Sequence, residues 1–143
     1  MVRRQGHPAS VQDFERYLQP TLRRFPMLQG VAWVPVLGRE QRAGFERSQR
    51  NTQQQDFEVR ERDASGALVT AGERETYYPV TYIAPWEGNE KALGFDLGSN
   101  PVRQKAVVHA LQSVGTVASE PITLVQETKQ QLGLLLMRQL DRG

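Results

Sequence analysis

The sequence predicts an α+β fold in which helices pack on an antiparallel sheet. Apolar periodicity gives the order helix, strand, helix, three strands, helix and two strands, and short polar turns link many of the strands. Such turns join antiparallel neighbours, because parallel strands need long crossover connections. The 143 residues fit one domain, and the 38% hydrophobic content indicates a lean core.

An N-terminal amphipathic helix is predicted over residues 11–25. Apolar residues recur there at helical spacing, at Val11, Phe14, Leu18, Leu22 and Phe25. Pro20 interrupts the pattern, and a proline inside a helix removes one hydrogen bond at a cost of about 3 kcal/mol. We therefore expect a kink or a stop near Gln19.

The next segments alternate between strand and helix. A strand is predicted over residues 28–36, and a mostly exposed helix anchored by Phe45 over residues 39–50. A polar loop over residues 51–55 leads to a strictly alternating, half-buried strand over residues 57–62. Gly66 and Gly72 indicate a turn or short hairpin over residues 64–72.

The second half contains the clearest helix of the chain. Asn100 fits its N-cap, Pro101 its first turn, and Gly115 the position after its end. Four further strands are predicted around it, over residues 77–83, 92–97, 122–126 and 132–137. The last is apolar on both faces, which is typical of a central strand.

Composition excludes several functional classes. The net charge is only +2 with mixed signs, so a nucleic acid is not an expected partner. The sequence has no cysteine, and we find no metal-ligand cluster, catalytic triad or glycine-rich phosphate loop in it. We therefore predict a binding domain with no cofactor, no metal and no catalytic residues.

Three tyrosines lie on the predicted strand over residues 77–83. Tyr78 and Tyr82 are expected on the same face of that strand. Aromatic rings with a polar tip suit the wall of a ligand pocket, although packing of the sheet explains them equally well. Trp86 follows in a loop, where it would either contact a ligand or cover the edge of the core.

Two charged residues are further candidates. Asp96 would either accept a hydrogen bond from a ligand or brace the turn over residues 98–100, and we favour the brace. Arg103 would either bind a ligand carboxylate in bidentate fashion or lie solvated on the surface.

The order of these segments resembles a known family, the CHASE domain, an extracytoplasmic sensor found on receptor histidine kinases and on cyclic-di-GMP cyclases and phosphodiesterases. The resemblance extends over residues 11–137. It is carried by Phe14 and Leu18, GVAWVPV (30–36), Phe45-Glu46, YPVTYIAP (78–85), GFDL (94–97), Ser99 with Arg103, Ala110, Gly115, SEPITL (119–124) and Gly133.

The resemblance implies a PAS-like antiparallel sheet with a pocket for a small molecule, in a periplasmic domain anchored by flanking membrane helices. Plant members bind cytokinins, which are adenine derivatives, through an aspartate whose position falls here on Pro85. The acid is therefore absent or displaced to Glu87, which counts against an adenine-type ligand. A threonine of the plant pocket corresponds to Ser119, which keeps the hydroxyl group.

The resemblance also implies boundaries. Residues 1–10 are expected to form a disordered tail, residues 11–137 the sensor domain, and residues 138–143 a tail truncated before the membrane-proximal part. The alternative to a ligand sensor is a ligand-free module that forms a homodimer, with the N-terminal helix as its seam.

Overall fold

The computed structural model of the protein describes residues 11–26, 28–52, 56–113, 116–118, 122–123, 132–133 and 136–138. Its helices are α1 (Val11–Arg24), α2 (Arg42–Thr52) and α3 (Pro101–Leu111), with short 3-10 turns at Arg39–Gln41, Glu90–Ala92 and Leu97–Ser99. Its strands are β1 (Val31–Trp33), β2 (Leu37–Gly38), β3 (Arg60–Arg62), β4 (Leu68–Thr70), β5 (Thr76–Tyr77), β6 (Tyr82–Ala84), β7 (Thr116–Ala118), β8 (Ile122–Thr123), β9 (Leu132–Gly133) and β10 (Leu136–Arg138).

The described strands pair in antiparallel fashion. The pairs are β1 with β6, β2 with β5, β3 with β4, β7 with β10 and β8 with β9. Helices and antiparallel pairs together confirm the predicted α+β class. The PAS-like arrangement stays a prediction.

Helix α1 packs on β6 and runs without interruption through Pro20. Phe14 and Leu18 are buried in a cluster with Trp33 and Tyr82. Pro20 is exposed on the opposite side. The predicted stop near Gln19 is therefore wrong, because water can solvate the carbonyl that loses its partner on the exposed face.

The two long predicted strands are shorter in the structure than the sequence suggests. The strand predicted over residues 28–36 is regular only in β1, and β2 begins just after it, beyond Pro35, with a different partner. The segment predicted at 77–83 divides into β5 and β6, with Pro79 between them. A proline has no amide hydrogen to donate to a ladder, so Pro35 and Pro79 each interrupt the regular strand in which they were predicted to lie.

Helix α2 is less exposed than predicted. Glu46 and Gln49 are buried, and Phe45 packs edge-on against Phe57 with ring centres 5.8 Å apart. Glu46 accepts the backbone amide of Val59 at 2.8 Å. Arg42 of the same helix donates to Glu46 at 3.3 Å and to the Val59 carbonyl at 3.4 Å, so both side chains attach the helix to the segment before β3.

The predicted hairpin over residues 64–72 is confirmed. Strands β3 and β4 form it, with Arg62 opposite Leu68. Asp63 starts its turn by accepting the amides of Ser65 at 2.8 Å and Ala67 at 3.0 Å. The strand predicted over residues 57–62 is regular only over the three residues of β3.

The segment predicted as a strand over residues 92–97 lies mainly between two 3-10 turns. Only single bridges form there, from Phe95 to Arg60 and from Asp96 to Pro79. Gly94 has φ +82°, a conformation that is strained for residues with a side chain. This positive φ breaks the extended geometry that the alternation suggested.

Helix α3 begins as predicted. The Asn100 side chain accepts the Arg103 amide at 3.0 Å, and Pro101 occupies the first turn. The helix ends at Leu111, and Gly115 lies outside the described residues. Helix α3 packs against β7 and β10. Strand β10 overlaps the strand predicted over residues 132–137, whereas β7 lies where the sequence analysis predicts no strand. None of the helices in the described ranges has the length and apolar character that crossing a membrane requires.

Candidate functional site

Tyr78 follows β5 directly and is buried against α3. It belongs to a hydrophobic cluster with Phe95, Leu97 and Val107. Its backbone amide donates to Asp96 Oδ1 at 2.7 Å, and its carbonyl accepts the Leu97 amide at 2.9 Å. Burial, and secondarily the charge of Asp96, raises the pKa of the Tyr78 phenol, so the side chain is a neutral group in an apolar wall.

Asp96 is fully buried and holds together three parts of the chain. Oδ1 accepts the Gly98 amide at 2.9 Å as well as the Tyr78 amide, and Oδ2 accepts Arg74 Nη1 at 3.3 Å. The bond to Gly98 is the turn-bracing contact that the sequence predicts. Both carboxylate oxygens therefore have partners within the protein.

Arg103 is buried, with 6% of its surface exposed. Its guanidinium carbon lies 5.3 Å from the centre of the Phe95 ring, a cation–π distance. The alternative prediction of a solvated surface arginine is wrong, because α3 turns this side chain toward the hydrophobic cluster. Burial, and secondarily the positive charge of Arg62, lowers the pKa of Arg103.

Tyr82 lies in a different cluster from Tyr78. Its ring stacks on Trp33 with centres 5.7 Å apart and contacts Phe14 at 5.8 Å. The prediction that Tyr78 and Tyr82 share a face is wrong. The break between β5 and β6 at Pro79 interrupts the strand alternation on which that prediction depends.

Trp86 is 42% exposed on the turn that follows β6. The preceding Ala84–Pro85 peptide bond is cis. Ser119, the remaining candidate, lies outside the described residues. The structure therefore brings Tyr78, Asp96 and Arg103 together around Phe95, and it separates Tyr82 and Trp86 from that group.

Two important polar residues are not singled out by the sequence. Arg74 donates to Asp96 and also pairs with Glu61, so it connects the loop before β5 to the turn before α3. Asn89 is fully buried and donates to the carbonyls of Pro85 at 2.7 Å and Gln29 at 3.1 Å. The partners of Arg74 are distant in sequence, and those of Asn89 are backbone carbonyls. The periodicity of side chains along the sequence cannot indicate either kind of contact.

The arrangement is that of an apolar wall with a few fixed polar groups. We call Tyr78, Phe95, Asp96 and Arg103 the Arg103 cluster. Hydrophobic lining with a small number of positioned polar groups is typical of small-molecule sites. Among the described residues no group of three or more histidine or carboxylate side chains is positioned to hold a metal ion.

Comparison with known proteins gives one assignment. The family model described as "CHASE domain" matches residues 9–138, nearly the whole chain. No curated protein matches the chain significantly. The matched range contains all the candidate residues, including Ser119.

Proposed function

This chain belongs to the CHASE-domain family of extracellular sensor domains, and we propose that it is the small-molecule sensor of a transmembrane signal-transduction receptor. In this proposal, flanking helices anchor the domain with its sheet outside the cytoplasm. The ligand occupies a PAS-like pocket between the sheet, the turn after β6 and α3. The output domain is then of the histidine kinase or cyclic-di-GMP type.

The observation that carries the proposal is the burial of Arg103 against Phe95. Burial and the nearby charge of Arg62 both disfavour the cationic form of Arg103, as the lowered pKa indicates. An anionic ligand group beside the guanidinium would favour the cationic form, in addition to the contacts that Arg103 already makes. Arginine binds carboxylates through two parallel hydrogen bonds, so small carboxylates and aromatic acids are the proposed ligand class.

An adenine-type cytokinin has less support. Glu87, the displaced acid, is exposed on the turn after β6. The buried acid is Asp96, whose two oxygens already accept hydrogen bonds from Tyr78, Gly98 and Arg74. We therefore rank carboxylates above adenine derivatives, with Tyr78, Arg103 and Ser119 as the proposed contacts.

Helix α1 is the proposed output element. Phe14 and Leu18 pack directly on the cluster that contains Tyr82 of β6. A shift of the sheet on binding would change this packing and so displace the helix. The ligand drives that change only if it binds one of the two arrangements more tightly than the other.

A thermal-shift screen of the 143-residue chain tests the proposal. The library contains small carboxylates, aromatic acids, amino acids and adenine-type cytokinins. A ligand at one hundred times its Kd stabilises by about 2.7 kcal/mol, which corresponds to a shift of about 5–10 °C. We expect a dose-dependent hit among the carboxylates.

Variants separate binding at the site from nonspecific stabilisation. Arg103→Gln should abolish the shift, whereas Arg47→Gln, which alters an exposed arginine of α2, should leave it unchanged. A folded chain without any hit, or equal shifts in the wild type and in Arg103→Gln, would overturn the proposed site.

A further inference from the structure

The β3–β4 hairpin is attached to the segment that carries Phe95. Arg60 forms a parallel bridge with Phe95, and the Arg60 amide donates to the Gly94 carbonyl at 2.8 Å. Residues joined by such a bridge project to the same side of a sheet, and so do side chains two positions apart along a strand. The side chains of Arg60, Arg62 and Phe95 therefore share one face.

The opposite face gives an independent check of this assignment. Glu61 and Asp96 each follow one of the two bridged residues by one position, so their side chains should project to the other side. The Arg74 guanidinium pairs with both carboxylates. The two faces are thus assigned by contacts as well as by strand alternation.

The face that carries Arg62 lies against the Arg103 cluster. Leu68, the register partner of Arg62, packs against the hydrophobic cluster that contains Phe95. The guanidinium carbon of Arg103 lies 5.3 Å from the centre of the same Phe95 ring. Burial, and secondarily the positive charge of Arg62, lowers the pKa of Arg103. Because the effect of a charge weakens with distance, the two guanidinium groups lie near each other.

Arg62 is exposed, and the hairpin turn orients its side chain. Arg62 Nη1 donates to the Gly66 carbonyl at 2.6 Å. This bond leaves the positive charge in place, because a carbonyl oxygen carries no net charge. The adjacent carboxylate of Asp63 accepts the amides of Ser65 and Ala67 within the turn. Arg62 therefore adds a positioned positive charge beside the Arg103 cluster.

We propose that the ligand of this domain is a dicarboxylate, with one carboxylate bound by Arg103 and the other by Arg62. This inference rests on the proposed sensor function and narrows its ligand class. Two positive side chains near each other repel, and two carboxylates reduce that repulsion further than one can. They do so in addition to the contacts that both arginines already make, and each guanidinium can bind a carboxylate through two hydrogen bonds.

Two separate carboxylates suit this site better than one compact dianion such as phosphate. The two arginines belong to different elements, Arg103 to α3 and Arg62 to β3. Phe95 and Leu68 add apolar surface beside them. The carbon skeleton of a dicarboxylate would cover that surface, whereas a phosphate ion brings the charge without any apolar group.

Isothermal titration calorimetry of the 143-residue chain tests the second contact. Isophthalate and benzoate differ by one carboxylate on the same ring, and glutarate and butyrate form the corresponding aliphatic pair. We expect a dicarboxylate to bind at least tenfold more tightly than its matched monocarboxylate, and equal affinities in both pairs would overturn the proposal. Inorganic phosphate should bind more weakly than the preferred dicarboxylate, and tighter binding of phosphate would overturn a ligand with two separate carboxylates.

Variants of the hairpin assign the preference to one residue. Arg62→Gln should reduce it to less than threefold, whereas Arg62→Lys keeps the charge and should keep most of it. The matched control is Arg60→Gln, on the same face, because Arg60 already pairs with Glu58 at 3.4 Å. Comparing two ligands on one variant cancels any loss of folded protein. A preference that persists in Arg62→Gln, or that Arg60→Gln removes to the same extent, would overturn the role of Arg62.

The two proposals fail separately. If a monocarboxylate and its dicarboxylate bind equally and Arg103→Gln abolishes both, the sensor proposal stands and the second contact is wrong. A hit in the thermal-shift screen from another ligand class, without binding of either dicarboxylate, would likewise overturn the dicarboxylate alone. A folded chain that binds nothing in either experiment would overturn both proposals.

Discussion

The carboxylate of Asp96 accepts a 2.7 Å hydrogen bond from the backbone amide of Tyr78, which lies 18 residues earlier in the sequence. The same oxygen accepts the Gly98 amide, so one side chain fixes both the segment after β5 and the turn before α3. The wall of the proposed pocket therefore depends on a residue whose oxygens face the protein itself.

Replacing Asp96 should unfold the wall. Asp96→Ala removes the acceptor of two backbone amides and the partner of Arg74, and we expect a loss of about 3–5 kcal/mol in the free energy of unfolding. Asp96→Asn keeps one acceptor oxygen and should cost about 1–3 kcal/mol. Urea denaturation measures both. Asp56→Ala, at an exposed position, is the control, and an equal loss there would refute the role of Asp96.

Two glycine substitutions should have opposite effects. Gly94 has φ +82°, and a Cβ atom there would collide with the Glu58 carbonyl. Gly94→Ala should therefore cost about 3 kcal/mol or more. Gly44 lies in α2 with open space around it, and Gly44→Ala should stabilise by about 0.5–1 kcal/mol. Thermal melts should show a lower melting temperature for Gly94→Ala and a higher one for Gly44→Ala than for the wild type. A Gly94→Ala protein as stable as the wild type would contradict the prediction.

Asn89 should control the order of the Trp86 turn. Asn89→Ala leaves the carbonyls of Pro85 and Gln29 without their donor, at a cost of about 1–3 kcal/mol. Asn89→Asp should cost at least as much at pH 7, because an ionised carboxylate would face those carbonyls without a proton to donate.

Hydrogen exchange measures this effect directly. The amides of residues 86–92 should exchange faster in both Asn89 variants than in the wild type. The exposed Asn51→Ala on α2 should leave these rates unchanged. Unaltered exchange in Asn89→Asp would show that the turn does not need the amide donor.

Glu61 should make stability depend on pH. The pKa of its carboxyl lies below the ordinary value of 4.5. The largest cause is the hydrogen bond from the Gly72 amide; burial opposes it, and the pairing with Arg74 lowers the pKa further. A depressed pKa contributes stability above the unfolded value, and this contribution is lost as pH falls through the folded value. Glu61→Gln should therefore destabilise more at pH 7 than at pH 3. Glu73→Gln, an exposed neighbour, is the control, and a pH-independent difference for Glu61 would contradict the prediction.

The sequence predicts best where local chemistry decides the structure. The Asn100 cap and the Pro101 start of α3, and the hairpin around Asp63, depend on side-chain bonds within a few residues. Such signals are present in the sequence itself. The α+β class follows from the same local periodicity.

The sequence predicts less well the burial and the contacts of side chains whose partners are distant in the chain. Glu46 belongs to a helix whose charges suggest full exposure, yet it is buried because Val59 and Arg42 supply donors. Tyr78 and Tyr82 are separated because their neighbouring segments pair with different strands. The Arg74–Asp96 contact joins residues that no periodicity relates, so the candidate site could be assembled only from the three-dimensional structure.

Phe45 packs against two hydrophobic clusters, one containing Phe14 of α1 and the other containing Tyr77 of β5. Neither cluster can lose its order without exposing part of this shared ring. The two clusters should therefore melt in a single cooperative transition. In the proposed sensor, a displacement of α1 would then move a rigid unit, and one edge of the domain would not loosen by itself.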